Sequence, residues 1–209
     1  MKNLILALSY KGYNFFNKKI GFLIMFKKLQ LLFAMMTAFL LCGCLFYSEK
    51  QVNYYDINSQ NISVAEAAVL NGSVQFRQFK NLTPVGNNFI YSEAGGLQVI
   101  DSESMWIQSP EIMIQRKLIN SIKTTESESK TFDISAVLYD FVIDSESKSC
   151  RVAMKFNVKS SSIPDFRGKE LQYNITKQLN KVTPSNCAVV MAEIVADIAA
   201  KLQAELVKL

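Results

Sequence analysis

The sequence predicts a single mixed α/β (α+β) domain, a mostly antiparallel sheet covered by two main helices. Three observations predict it. Apolar and polar residues alternate with period two in segment after segment, which is the signature of half-buried strands. Helical periodicity is clear in two places, around 110–123 and 185–207. No Gly/Ser-rich or Pro-rich linker interrupts residues 52–209, so nothing divides them into two domains.

Taken in order, Val52 to Asn58, with Tyr54-Tyr55, reads as a first strand, and Ser63 to Leu70 as either a loop with a helical turn or a strand lead-in. Ser73 to Lys80 alternates: Val74, Phe76 and the stem of Gln78 on one side, Gln75, Arg77 and Phe79 on the other. A turn at Thr83-Pro84-Val85-Gly86-Asn87 leads to Phe89-Ile90-Tyr91 and Leu97-Gln98-Val99-Ile100, a hairpin about Gly95-Gly96, a pair suited to positive φ. Ser109-Pro110-Glu111 opens a helix with a capping hydroxyl, a proline at the first position and an acid near the positive end of the dipole. That helix runs to about Lys123, with Ile114, Leu118 and Ile122 facing the sheet, Ile112 and Ile119 beside them, and Arg116, Lys117 and Asn120 opposite. Thr131 to Ile143 and Cys150 to Lys159 form a long hairpin about the solvated turn at 144–149, with Cys150, Val152, Met154, Phe156 and Val158 sharing one face. Glu170 to Leu179 is a last strand, and Ser185 to Val207 a last helix with Val190, Ile194, Ile198, Leu202 and Leu206 at intervals of four.

Ahead of the domain, Leu41-Cys42-Gly43-Cys44 closes an apolar run behind Lys27 and Lys28. A basic stretch, an apolar stretch and a small residue before a cysteine are the parts of a bacterial lipoprotein signal, removed rather than folded. Cleavage between Gly43 and Cys44 makes Cys44 the lipidated first residue of the mature chain, and each buried acyl methylene contributes about 0.8 kcal/mol to holding it at a membrane. The competing reading, a retained single-pass anchor, fits poorly: 13 residues separate Lys28 from Cys42, against roughly 20 needed to cross a bilayer. Residues 1–43 are thus leader and signal, with Met25 an alternative start; residues 44–51 are a polar tether, and 52–209 the domain.

Charge changes meaning once the leader is set aside. Six of the 23 basic residues (Lys2, Lys11, Lys18, Lys19, Lys27 and Lys28) and none of the 18 acidic ones precede Cys44, leaving 17 against 18 and turning +5 into −1. A basic nucleic-acid footprint has little left to stand on. The chain has no histidine, which removes Ser/His and Cys/His dyads and the commonest zinc sites. Gly95-Gly96 matches no phosphate-binding fingerprint, and acids such as Asp140 and Asp144 read as solvated strand ends. The expectation is a non-enzymatic protein with no metal and no cofactor beyond the lipid on Cys44. Cys150 and Cys187 are the cysteines that follow Cys44. In an oxidising compartment they form either a disulfide, worth about 4 kcal/mol by loop closure, or two buried thiols.

Trp106 stands in Trp106-Ile107-Gln108-Ser109-Pro110, preceded by Tyr54-Tyr55 and Ile90-Tyr91 and followed by the two long strands about Asp144 and an alanine-rich helix from Ala188 to Leu206. In this order and spacing the chain resembles the ABC-type transport auxiliary lipoproteins, the PqiC-type partners of Mce lipid-transport systems. Ser92 and Met105 depart from that pattern, standing where the family usually carries arginines. The resemblance implies an outer-membrane lipoprotein facing the periplasm of a Gram-negative bacterium. It also implies a docking role with a periplasmic Mce protein, whose permease and ATPase lie in the inner membrane, and a homo-oligomeric ring. Tyr54, Tyr91 and Trp106 would then be core or interface aromatics. Leu45, which is not the aspartate associated with inner-membrane retention, agrees with the outer location. The rival expectation is an assembly lipoprotein, a plug or chaperone for an outer-membrane barrel or a lipopolysaccharide exporter.

Overall fold

A computed structural model describes residues 27–33, 35–37, 50–59, 62, 68–125 and 130–209. The chain divides into two units, Met1–Lys50 and Gln51–Leu209. In the first, residues 27–33 and 35–37 are helical, and among the described residues no helix is long and apolar enough to cross a membrane. Gly43 and Cys44 lie outside the described residues.

The second unit is a mixed α/β domain around one seven-stranded sheet. Its strands are β1 (Asn53–Tyr55), β2 (Ser73–Asn81), β3 (Asn88–Ser92), β4 (Gln98–Trp106), β5 (Thr131–Asp144), β6 (Ser149–Lys159) and β7 (Lys169–Gln178). Among the described residues its α-helices are α1 (Pro110–Ser121) and α2 (Pro184–Val207), and a single 3-10 turn lies at Ala94–Gly96. The spatial order is β1-β4-β3-β5-β6-β7, with β2 also on β5. The long β5–β6 and β6–β7 ladders and the β3–β4 hairpin are antiparallel, while β1–β4, β2–β5 and β3–β5 are parallel.

Alternation decides which side of each strand is buried. Along β5, Phe132, Ile134, Ala136, Leu138, Phe141 and Ile143 are buried, and along β6 so are Cys150, Val152, Met154, Phe156 and Val158. α2 packs on β6 and β7, and α1 on β2 and α2, so both helices cover the same face. Ile194, Ile198, Leu202 and Leu206 form the seam of α2, all without solvent exposure. Burying such a side chain contributes roughly 1.5–3 kcal/mol. Thr183 caps α2 by accepting from the Asn186 N–H at 3.3 Å, and Pro184 occupies the first helical position. Gln203, also buried, ties α2 to two loops: its amide donates to the carbonyls of Ala68 (2.6 Å) and Lys123 (3.1 Å), and its oxygen accepts from the Lys123 N–H (3.1 Å).

Four local expectations are corrected. The first strand is only Asn53–Tyr55, because Asp56 turns the chain by accepting from the Asn58 N–H. In β2 the register shifts between Phe76 and Phe79. This bulge turns Phe79 to the side of Phe76, whose ring it meets at 5.9 Å, and onto Phe156 at 6.2 Å. Ser109 precedes α1 but does not cap it with its side chain; its hydroxyl donates to Glu111 Oε1 at 2.6 Å. The buried stripe of α1 is Met113, Ile114, Lys117, Leu118 and Ser121, so Lys117 is inside while Ile112 and Ile119 are exposed. Met113 draws the stripe round by one residue. Lys117 can follow because its four-carbon stem is apolar; burial pushes its ammonium pKa down, with Asp56 pulling the other way. The Gly95-Gly96 hairpin stands as expected, both glycines at positive φ (76° and 79°), and β4 runs on beyond Ile100 to Trp106.

Candidate interaction surface

The face of the sheet away from the helices has two characters. Across β2, β5, β6 and β7 it is polar and ion-paired: Arg77 meets Asp133 (2.6 Å), Arg151 meets Asp140 (3.1 Å) and Lys155 meets Glu170 (2.7 Å). Near β3 and β4 it becomes apolar. Ile90, half-buried next to Phe89, has Ile100 as its register partner, 59% exposed. Tyr139 (45% exposed) lines the same space as Ile90, and Leu82 (62%) lies on the loop hydrogen-bonded to the neighbouring Leu138.

Topology produces a groove there. The first half of β5 pairs with β2 through Leu138, and its last two residues pair with β3 at Tyr91 and Ser92. Between these pairings, Tyr139 to Val142 have no strand beside them on that edge among the described residues, and the β2–β3 loop begins there, held by the Leu82 N–H on the Leu138 carbonyl (2.9 Å). Asn81 shapes the loop, accepting from the Thr83 N–H and hydroxyl and donating to the Val85 carbonyl. A β-bulge falls in the same stretch, between Leu138 and Asp140. The resulting cavity, about 100 Å³, is lined by Pro84, Val85, Ile90, Tyr139, Phe141 and Val142 with a few polar neighbours. Small-molecule sites occupy roughly 300–1,000 Å³. A space this small suits an inserted side chain rather than a lipid or a cofactor. Among the described residues, no cluster of His, Cys, Asp and Glu has the arrangement of a metal site.

The sequence-marked aromatics separate by role. Trp106 is 1% exposed, stacked on Phe89 at 4.0 Å and edge-on to Phe141 at 5.3 Å. It is a core residue, the base on which β3, β4 and β5 meet. Tyr91 is half-buried on the same side, 6.1 Å from Phe89, and burial pushes its phenol well above the usual range, with Cys187 and Asp101 adding to the shift. Tyr54, 64% exposed on edge strand β1, points to solvent. Cys150 and Cys187 are free thiols, both fully buried, and a hydrogen bond between them, together with burial, raises the pKa of Cys150. Leu82, Ile100 and Tyr139 were not marked by the sequence. The available signal was consecutive apolar residues in Phe89-Ile90-Tyr91 and Val99-Ile100, which put apolar side chains on both faces of short strands.

No protein-family model matches the chain, and no curated protein matches it. Solved structures do. A crystal structure of an uncharacterized protein superposes with TM-score 0.57 at 11% identity, covering 74% of this chain and 98% of that one. A Xanthomonas campestris protein assigned to family DUF330 superposes with TM-score 0.58 at 8% identity, covering 75% of this chain and 95% of that one. At these identities the likeness establishes a shared fold and nothing further.

Proposed function

We propose that this chain is a lipid-anchored, periplasm-facing auxiliary component of an ABC-type, Mce-linked intermembrane lipid-transport system, acting as a docking module and not as an enzyme. The observation that carries the reading is Leu41-Cys42-Gly43-Cys44 behind Lys27-Lys28, separated by a short tether from the domain. The order of Tyr54-Tyr55, Ile90-Tyr91, Trp106 with Pro110, the long hairpin and the alanine-rich helix supports the family, and the apolar groove on the open face supports docking. In this account Cys44 holds the domain at the outer membrane. The groove of Val85, Ile90, Tyr139 and Val142 receives a side chain or two from the periplasmic Mce protein, Ile100 and Leu82 are exposed at neighbouring positions, and further copies of the domain complete a ring.

The test is purification of the lipidated protein from its own envelope after mild crosslinking, with mass spectrometry of what accompanies it. Recovery of an Mce protein is the expected result. Recovery of a barrel or lipopolysaccharide-assembly component without any Mce protein overturns the reading in favour of an assembly lipoprotein.

A further inference from the structure

We propose that Cys150 and Cys187 are joined by a disulfide in the exported protein, a covalent clamp between the start of β6 and the first turn of α2. Both thiols have no solvent exposure. The chain brings them to one end of the sheet: β7 ends at Gln178 opposite Ser149, the Leu179 N–H donates to the Lys148 carbonyl at 2.6 Å, and the short connection from there opens α2, which packs on β6 and carries Cys187 in its first turn. Each is fixed by its own backbone: Cys150 pairs with Ile143 on β5 and Lys177 on β7, and the Cys187 N–H donates to the Thr183 carbonyl at 2.9 Å. The bond closes a loop of the 38 residues from Cys150 to Cys187. Cys150 pairs with Ile143, which pairs on its other side with Tyr91, so the clamp lies in register with the β3 end that borders the apolar groove. An even pair of cysteines placed in this way in a compartment that favours disulfides is read as a bridge.

Closure removes two protons and two electrons from the pair. The acceptor is the disulfide of a thiol–disulfide oxidoreductase of the export compartment. One protein thiolate attacks that disulfide, a mixed disulfide forms and one oxidoreductase thiolate leaves. The second protein thiolate then attacks the mixed disulfide, and the oxidoreductase departs as a dithiol. Cys187, at a helix N-terminus, is the better first nucleophile. Because neither sulfur is accessible in the folded domain, the bond forms while the chain folds and is afterwards shielded from reductants.

The clamp rests on the export part of the proposed function, and one experiment separates the two. The full chain is expressed with its own leader in a Gram-negative host, thiols are trapped with maleimide in denaturant at the moment of lysis, and intact and peptide masses are read. The expected product is processed at Cys44, carries no maleimide on Cys150 or Cys187 until reduced, and yields one linked peptide pair, lighter by two hydrogens than the separate peptides. Processed protein with maleimide on both cysteines overturns the clamp and leaves export standing. Unprocessed protein instead overturns export; the clamp is then decided by refolding the reduced chain with oxidised glutathione, where a Cys150–Cys187 link supports it and two free thiols overturn it. Cys150→Ala leaves Cys187 fully reactive in denaturant. Reduction of the bridged protein lowers the melting temperature by about 10 °C, from the entropy of a loop this long in a domain of this size.

Discussion

On its helix side the sheet buries Trp106, Phe89, Phe132, Phe141 and Phe156 among aliphatic residues of α1 and α2; on its open side it carries the Arg77–Asp133 and Lys155–Glu170 pairs at one end and Ile100 and Tyr139 at the other, with the Arg151–Asp140 pair and Leu82 of the β2–β3 loop beside Tyr139. Strand alternation makes both faces, but only the first is finished within this chain. The ion-paired end of the open face is also finished, since water solvates it. The apolar end is left over, and it lies where β5 changes partners. Stability should therefore respond to substitutions on the covered face, and partner capture to substitutions in the groove.

Trp106→Ala gives the largest effect. It removes the ring that Phe89 stacks on and Phe141 abuts, and the expected loss is about 3–5 kcal/mol in denaturant unfolding. Gln203→Ala comes next: it strips the partners from the Ala68 and Lys123 backbone groups, at a cost of about 1–3 kcal/mol. Acid titration sharpens the comparison. Lys169 and Lys208 hold the Glu205 carboxylate at about 2 against an ordinary 4.5. A depressed carboxylate pKa stabilises the fold above the unfolded value, and that contribution is lost as pH falls from about 4.5 towards 2. The melting temperature should fall through that window, and Glu205→Gln should flatten part of the fall. Ile100→Ser is the smallest in stability, within about 0.5 kcal/mol, yet it should reduce recovery of the crosslinked partner. A large loss of stability with Ile100→Ser would erase the distinction between the faces.

Much of this fold was legible because period and burial coincide. β7 alternates throughout, β5 alternates on either side of its bulge, and α2 keeps an apolar residue at five successive fourth positions from Val190 to Leu206. Where reading failed, long-range contacts had overruled local pattern. Phe79 looked solvent-facing because a bulge leaves no mark in a single sequence, and Lys117 looked exposed because its charge hid an apolar stem. Ser109 looked like a cap, but Glu111 takes its hydroxyl. Of the candidate surface, the consecutive apolar residues of β3 and β4 are local and readable. The groove is not, because it depends on β2 and β3 sharing one edge of β5, a pairing between residues some 50 positions apart.

The central claim, that the apolar end of the open face receives a periplasmic transport partner, is tested most directly by photocrosslinking from two positions of the exported protein. A photoreactive residue at Ile100 should capture an Mce protein in the envelope, and one at Gln172, on the polar open face of β7, should not. Capture of that protein from Gln172 alone, or from neither position while other proteins crosslink at Ile100, would contradict the account.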